Sequence, residues 1–209
     1  MARLFTFHLY PSKESYLVSV LQELTVGGSG VDLGAEICEQ VSIPKGMAYG
    51  ALQHTRHGLL VRDYSSSDVQ SDRLYWPIYE VGPEDVLHCA VQFILLVEKE
   101  ATFHHLVASR FCDRHGPCLV VTGRGYPDVC TREFLHRLMN VTKPRGVPIV
   151  ALTDGDPHGI EILCTYKFGS KALGFDSAQL AIPTLRWLGI HRYDIDRLVQ
   201  DVICYTSKT

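Results

Sequence analysis

The sequence predicts an α/β fold: a parallel-sheet core flanked by helices, preceded by a small β-meander and a short helical N-terminal segment. Wholly apolar runs of a few residues alternate with stretches whose apolar residues recur at helical spacing. Such runs have no polar face, which is typical of parallel strands covered on both sides. The chain has 209 residues, 46% of them hydrophobic, which is enough for a sizeable core without a metal or disulfide.

The N-terminal part is the least regular. Within residues 1–40, an amphipathic stretch at residues 16–24 precedes three closely spaced glycines and a short acidic segment, which predicts a helix, a turn and a second helix. Residues 41–85 contain short β-like pieces such as Gly58–Tyr64, separated by polar runs. This pattern predicts a small antiparallel meander.

Residues 86–209 alternate between strand and helix signals. The predicted strands are Phe93–Val97, Cys118–Val121 and Val147–Leu152, with a further β-like piece at Leu180–Ile182. The predicted helices are Ala101–Phe111, a second helix with the inner face Val129, Phe134, Leu135, Leu138 and Met139, and Gly159–Phe168. We therefore expect a sheet with helices on both faces.

Composition and charge exclude several classes of protein. No stretch is long and apolar enough for a membrane span, and the N-terminus has no secretory signal pattern. The seven cysteines are scattered without a C-x-x-C pair, which argues against a zinc site or a disulfide framework. Between residues 99 and 145, eight Lys and Arg stand against four Asp and Glu, whereas the rest of the chain is acidic. A local basic surface of this kind suits a polyanion, although a solvated helix face would give the same pattern.

Carboxylates follow two of the predicted strands. Glu98 ends the first apolar strand, and Asp154 and Asp156 come directly after the third. Ligands of open parallel sheets bind beyond the carboxyl ends of the strands, so these three side chains are expected at one rim. Oxygen-only ligands suit Mg²⁺. The alternative is that Asp154 or Asp156 only caps the helix that begins near His158.

A glycine turn follows the second strand. Gly123, Arg124 and Gly125 would let a phosphate approach the backbone, and the Arg124 guanidinium could bind it with two hydrogen bonds. The turn lacks the spacing of a dinucleotide or nucleoside-triphosphate loop, and an ordinary turn arginine is the alternative. Other candidates for phosphate contacts at the rim are Lys99, Arg132 and Lys167, each of which is otherwise a solvated charge.

Three long motifs carry a family resemblance. VEKEATF at residues 97–103, VTGRGYPDVCTR at 121–132 and TDGDPHGIEILCTYKFGS at 153–170 resemble the Toprim domain of the topoisomerase VI A-subunit and of its Spo11 relatives, the meiotic double-strand-break proteins. IPKGMAYGAL at 43–52 and LAIPTLRWLGI at 180–190 resemble flanking segments of the same family. The resemblance implies that Glu98, Asp154 and Asp156 bind Mg²⁺ and that the turn at Arg124 lies near DNA. The family's usual D-A-D is D-G-D here.

The resemblance also implies a reaction. In this family a tyrosine at the end of an upstream winged-helix domain attacks the DNA backbone and forms a 5′-phosphotyrosyl bond. We expect this chain to lack most of that domain, and Tyr10, 35 residues before Lys45, is the candidate nucleophile, although Thr6 stands where the family has an arginine. We expect residues 1–40 to be a remnant or linker, 41–85 a β-rich lead-in, and 86–209 the Toprim domain, truncated at its C-terminus.

The expected function is Mg²⁺-dependent binding of duplex DNA and double-strand breakage by tyrosyl transesterification in meiotic recombination. The implied partners are a second copy of the chain and a topoisomerase VI B-like subunit, with no membrane. The implied location is the nucleus in a eukaryote, and otherwise the cytoplasm or nucleoid. One alternative is a cleavage-incompetent isoform or fragment that acts as a DNA-binding and Mg²⁺-binding dimerisation module. The other is a Toprim enzyme of the primase or nuclease kind that releases free ends.

Overall fold

The computed structural model describes residues 44–65, 75–170 and 180–197. Its strands are Met47–Gly50 (β1), Leu52–Arg56 (β2), Leu59–Asp63 (β3), Trp76–Pro77 (β4), Asp85–Cys89 (β5), Phe93–Val97 (β6), Cys118–Thr122 (β7), Ile149–Leu152 (β8) and Arg186–Gly189 (β9). Its helices are Glu100–Ala108 (α1), Phe111–His115 (α2), Val129–Thr142 (α3) and Pro157–Phe168 (α4), with a 3₁₀ turn at Lys143–Arg145. The predicted N-terminal helices and Tyr10 lie outside the described residues.

The main sheet has six strands in the order β4-β1-β7-β6-β8-β9. Strands β7, β6, β8 and β9 run parallel, and all five residues of β7 are buried. The chain goes from β6 to β7 on one side and then crosses to β8 on the other side of β6. This confirms the predicted α/β class and creates a topological switch point between β6 and β8, the place where open α/β sheets bind ligands.

Each face of the sheet has its own apolar core, because successive strand residues point to opposite faces. On one face, Ile94 and Leu96 of β6 pack with Phe134 and Leu138 of α3, and with α4. On the other face, Leu95 and Val97 pack with residues of α1 such as Phe103. Helices on both faces explain why these strands carry no polar side.

The lead-in is only partly the predicted meander. Strands β3, β2 and β5 form a separate antiparallel sheet, whereas β1 pairs antiparallel with β7 and continues the main sheet. The chain passes from β1 to β2 at Gly50, which has φ +138° and whose place for a Cβ lies 2.1 Å from the carbonyl oxygen of Cys118. Only glycine allows this close crossing.

Two other boundaries differ from the predictions. The predicted strand at Leu180–Ile182 is not a strand: Ile182 and Leu185 are fully buried beside α4, and the strand forms later, at β9. The predicted helix Ala101–Phe111 is divided into α1 and α2, because Arg110 adopts a left-handed conformation with φ +53°.

No helix in the described ranges is long and apolar enough to cross a membrane.

Candidate functional site

The carboxyl ends of β6 and β8 bring two predicted ligands together at the switch point. Glu98 directly follows β6, and its Oε2 accepts a hydrogen bond of 2.8 Å from the backbone N–H of Asp154. The backbone of Thr153 is held on its other side by β9, since its N–H donates to the Gly189 carbonyl at 2.8 Å. Glu98 and Asp154 therefore lie next to each other at the carboxyl ends of parallel strands, as their places after the two apolar runs predict.

Asp156 has a structural role as well as a place at the rim. Its Oδ1 accepts a hydrogen bond of 2.8 Å from the Gly159 N–H, so it caps α4, with Pro157 in the first turn. Asp156 therefore caps the helix, as the alternative predicted, and its second oxygen stays available for a ligand, whereas Asp154 caps no helix in the described part of the chain. A Cβ at Gly159 would lie 2.2 Å from the Asp154 carbonyl oxygen, so glycine there lets the helix start close behind the rim.

Lys99 pairs with one of the three rim carboxylates. Its Nζ lies 2.6 Å from Asp154 Oδ2, and the two side chains are 59% and 32% exposed. The hydrogen bond and charge of Asp154, with smaller contributions from Glu98 and Asp156, raise the pKa of Lys99 above its usual value. Lys99 was predicted as a phosphate contact, and the structure shows it paired with a carboxylate of its own chain.

The three carboxylates fit a divalent ion in chemistry, and they do not form a closed cage. Among residues 44–65, 75–170 and 180–197, no three His, Cys, Asp or Glu side chains are gathered closely enough to hold a metal. Glu98, Asp154 and Asp156 each use one oxygen, and the second oxygen accepts no hydrogen bond within those residues. The ammonium on Asp154 shows that a cation is accommodated there. Because Mg²⁺ binds through one or two carboxylates and completes its shell with water and phosphate, this open arrangement suits it.

The glycine turn after β7 is fastened to the backbone of Glu98. The Gly125 N–H donates to the Glu98 carbonyl at 3.0 Å, and the Thr122 hydroxyl donates to the same oxygen at 3.3 Å. The same hydroxyl accepts the Arg124 N–H at 3.1 Å. Arg124 and Gly125 both have positive φ, 56° and 89°. The turn and the carboxylate rim are therefore parts of one structure.

The Arg124 guanidinium is exposed and binds Glu100 Oε1 at the start of α1. This pairing raises the pKa of Arg124, and Arg124 together with His104 lowers the pKa of Glu100. Glu100 was not predicted as part of the site. Its position two residues after Glu98 in VEKE was the available signal, since α1 begins there and faces the turn.

Arg132 is not a surface contact. It is 1% exposed, which contradicts the prediction that it binds a phosphate at the rim. It lies three residues before Leu135 on the inner face of α3, so the helix carries its side chain into the interior. Its charge predicted a place on the surface because a buried arginine is rare.

Lys167 lies at the end of its helix that is remote from the rim. Helix α4 starts at the rim with Pro157, and Lys167 is close to its C-terminus, about 15 Å further along the helix axis. Its Nζ donates to the Leu185 carbonyl at 3.0 Å. The structure therefore contradicts its prediction as a rim phosphate contact.

A buried polar cluster, formed by Asp128 and Tyr166, lies against the glycine turn and was not predicted from the sequence. Asp128 is 5% exposed, and its two oxygens accept the backbone N–H groups of Lys45, at 2.9 Å, and of Thr131, at 2.7 Å. Tyr166 is buried close by: burial and the charge of Asp128 raise its pKa, and Arg132 opposes this. A Cβ at Gly123 would lie 2.3 Å from the Tyr166 hydroxyl. The Asp directly before a helical run was the available capping signal.

A mainly parallel sheet with Glu98 and the Asp154-Gly155-Asp156 turn on neighbouring strand ends defines an α/β domain of the Toprim class. The family model for the Toprim domain of the topoisomerase 6 A-subunit and Spo11 matches residues 93–208, more than half of the chain. The chain therefore belongs to the family of topoisomerase 6 A-subunits and Spo11 proteins.

Similar proteins carry both names. The chain is 47% identical over 107 residues to meiotic recombination protein SPO11 of Mus musculus, covering 51% of this chain and 26% of that protein. It is 48% identical over 105 residues to the A3-subunit of DNA topoisomerase 6 of Oryza sativa, covering 50% of this chain and 23% of the relative. It is 37% identical over 157 residues to the A-subunit of DNA topoisomerase 6 of Arabidopsis thaliana, covering 75% and 35%. The chain thus spans about a quarter to a third of the relatives' lengths.

Proposed function

We propose that this chain is an Mg²⁺-dependent DNA-binding Toprim module of a protein that breaks both DNA strands in meiotic recombination. The observation that supports the proposal most strongly is the contact of Glu98 with the backbone of Asp154 at the switch point. The Lys99 ammonium binds the carboxylate of the same aspartate. Family membership supports DNA as the ligand, because the matched relatives are named as DNA topoisomerases and meiotic recombination proteins.

In the proposed mechanism the rim binds the DNA backbone. Glu98, Asp154 and Asp156 are the residues that would hold Mg²⁺, and the bound ion would supply positive charge to offset the negative charge of a phosphate and of its leaving oxygen. The backbone at Gly125 is open to a phosphate, since nothing lies within 4 Å of the place where a Cβ would be. The Arg124 guanidinium, which binds Glu100 in the structure, lies in the same turn and carries a paired set of donors that a phosphate would compete for. These contacts address the backbone, so no base preference is expected.

The proposed bond-breaking step is transesterification. A tyrosine hydroxyl loses its proton and attacks a backbone phosphorus, a phosphotyrosyl ester forms at the 5′ side, and the 3′ oxygen leaves and takes up a proton. Tyr10 is the candidate for this tyrosine. The proposed partners are a second copy of the chain and a topoisomerase VI B-like subunit. The proposed location is the nucleus.

The metal-dependent part of the proposal is tested by measuring the affinity for duplex DNA, by fluorescence anisotropy, with Mg²⁺ added at constant ionic strength. We expect Mg²⁺ to strengthen binding, and we expect Glu98→Ala and Asp154→Ala to remove that gain. Asp113→Ala is the matched control, because Asp113 is an exposed acid on α2, at the opposite end of the sheet. Equal Mg²⁺ dependence in all four proteins would contradict the metal site.

The nature of the reaction is tested by incubating the full chain, with its proposed B-like partner, with DNA and Mg²⁺. A covalent protein–DNA adduct that Tyr10→Phe abolishes supports transesterification. DNA binding without any adduct would identify a cleavage-incompetent module, and cleaved DNA with free ends would identify a metal-dependent nuclease.

A further inference from the structure

The rim carries its own cation. Among the described residues, Lys99 is the cation that contacts Asp154, and its Nζ lies 2.6 Å from Asp154 Oδ2. The neighbouring arginine of the site, Arg124, is engaged with Glu100 instead. The ammonium also faces the charges of Glu98 and Asp156. One lysine side chain therefore offsets part of the negative charge of the carboxylate rim.

The position of Lys99 makes this compensation reversible. It is the residue directly before α1, with an extended backbone and no side-chain capping bond, so its side chain has no structural duty in the helix. More than half of its surface is exposed. Its four-carbon stem gives it a wide reach from this fixed point. The ammonium can therefore leave Asp154 without any change in the fold.

Resting on the proposed function, we propose that Lys99 is a built-in counter-cation that competes with the divalent ion for Asp154 and couples metal binding to DNA binding. A divalent ion bound to the Asp154 carboxylate repels the ammonium that the same carboxylate holds at 2.6 Å, because like charges this close interact unfavourably. The displaced ammonium stays tethered at the rim, next to the fastened glycine turn. There it is free to bind a DNA phosphate.

Two consequences follow. Without DNA, Lys99 weakens metal binding, both by occupying the oxygen and by adding a positive charge beside the site. With DNA, the displaced ammonium gains a phosphate partner, so metal and DNA each strengthen the binding of the other. This reciprocity is required of any two coupled ligands.

The inference is tested with Mn²⁺ as a spectroscopic probe, by measuring free Mn²⁺ with electron paramagnetic resonance in the absence of DNA. We expect Lys99→Gln to bind Mn²⁺ about tenfold more tightly than the unchanged chain, since a unit charge a few ångströms from a divalent ion has an effect of this size even in water. Lys143→Gln is the matched control: Lys143 is exposed and lies in the 3₁₀ turn at the opposite end of the sheet. Its affinity should be unchanged.

A second measurement isolates the coupling. Saturating duplex DNA should tighten Mn²⁺ binding to the unchanged chain by a larger factor than to Lys99→Gln. Unchanged or weaker Mn²⁺ binding in Lys99→Gln overturns the inference while leaving the metal site in place. Mn²⁺ binding that is insensitive to both Glu98→Ala and Asp154→Ala overturns the proposed function and the inference together.

Discussion

Two groups of polar side chains adjoin the same glycine turn, the buried cluster and the carboxylate rim, and they differ in how their carboxylate oxygens are used. In the buried cluster, both oxygens of Asp128 accept backbone N–H groups from different segments, Lys45 and Thr131. At the rim, Asp154 is partly exposed, and only one of its oxygens is used, by a side chain that can move away. A carboxylate with both oxygens committed to backbone fixes a fold, whereas one with a spare oxygen and a mobile partner is suited to exchanging ligands.

The largest expected effect on stability is in the buried cluster, at Asp128. Asp128→Ala leaves two N–H groups without acceptors and removes the cap of α3, which should lower the free energy of unfolding by about 3 kcal/mol. Asp128→Asn keeps one acceptor and should cost about half as much. Urea denaturation measures both. The control Asp113→Ala should be neutral, and a similarly small loss in Asp128→Ala would show that the cluster does not hold the fold.

Gly123 tests how tightly the turn rests on the buried cluster. The added methyl group of Gly123→Ala would lie 2.3 Å from the Tyr166 hydroxyl, so we expect a loss of about 2 kcal/mol in unfolding free energy. Tyr166→Phe alone removes a buried hydroxyl that has no hydrogen-bond partner among the described residues, so it should be close to neutral. The double variant should recover part of the loss. Strict additivity in this double-mutant cycle would contradict the contact.

How far the sequence predicts this molecule depends on the range of the interaction. The strands β6, β7 and β8 are predicted because full burial leaves an uninterrupted apolar run, and the meeting of Glu98 with Asp154 follows from their places at parallel strand ends. The insertion of β1 beside β7 was missed, since the pairing of Met47 with Thr122 joins residues far apart in the chain.

Other features were missed because local patterns gave the wrong signal. Strand β9 has the residues RWLG, with three of its four positions at least partly exposed, and pairing with β8 rather than an apolar run defines it. Arg132 was assigned to the surface by its charge, although its place on α3 buries it. The counter-cation role of Lys99 depends on a side-chain contact, which spacing along the chain does not specify.

A smaller effect is expected at Gly155, between the two rim aspartates. A Cβ there would lie 2.5 Å from the backbone carbonyl oxygen of Ile190, which follows the edge strand β9. We expect Gly155→Ala to cost about 1 kcal/mol, less than Gly123→Ala, because Ile190 lies at the edge of the sheet, where its backbone pairing with Thr153 is what opposes a small shift. Thermal unfolding of the two variants side by side measures the difference. The reverse order would place the tighter packing at the rim.

The smallest effect on stability is expected at Asp154. It decides whether the rim carboxylates bind ligands while the buried cluster holds the fold. Asp154→Asn keeps the size of the side chain and the backbone N–H that binds Glu98, and it gives up only an exposed ion pair. Its free energy of unfolding should match that of the unchanged chain within the error of urea denaturation, while its Mg²⁺-dependent DNA binding is lost. Asp128→Asn, the same chemical change in the buried cluster, should lower stability and leave the Mg²⁺ dependence of the folded protein intact. If both variants lost stability equally, the rim would be part of the structural framework, and its carboxylate would not be free to exchange one cation for another.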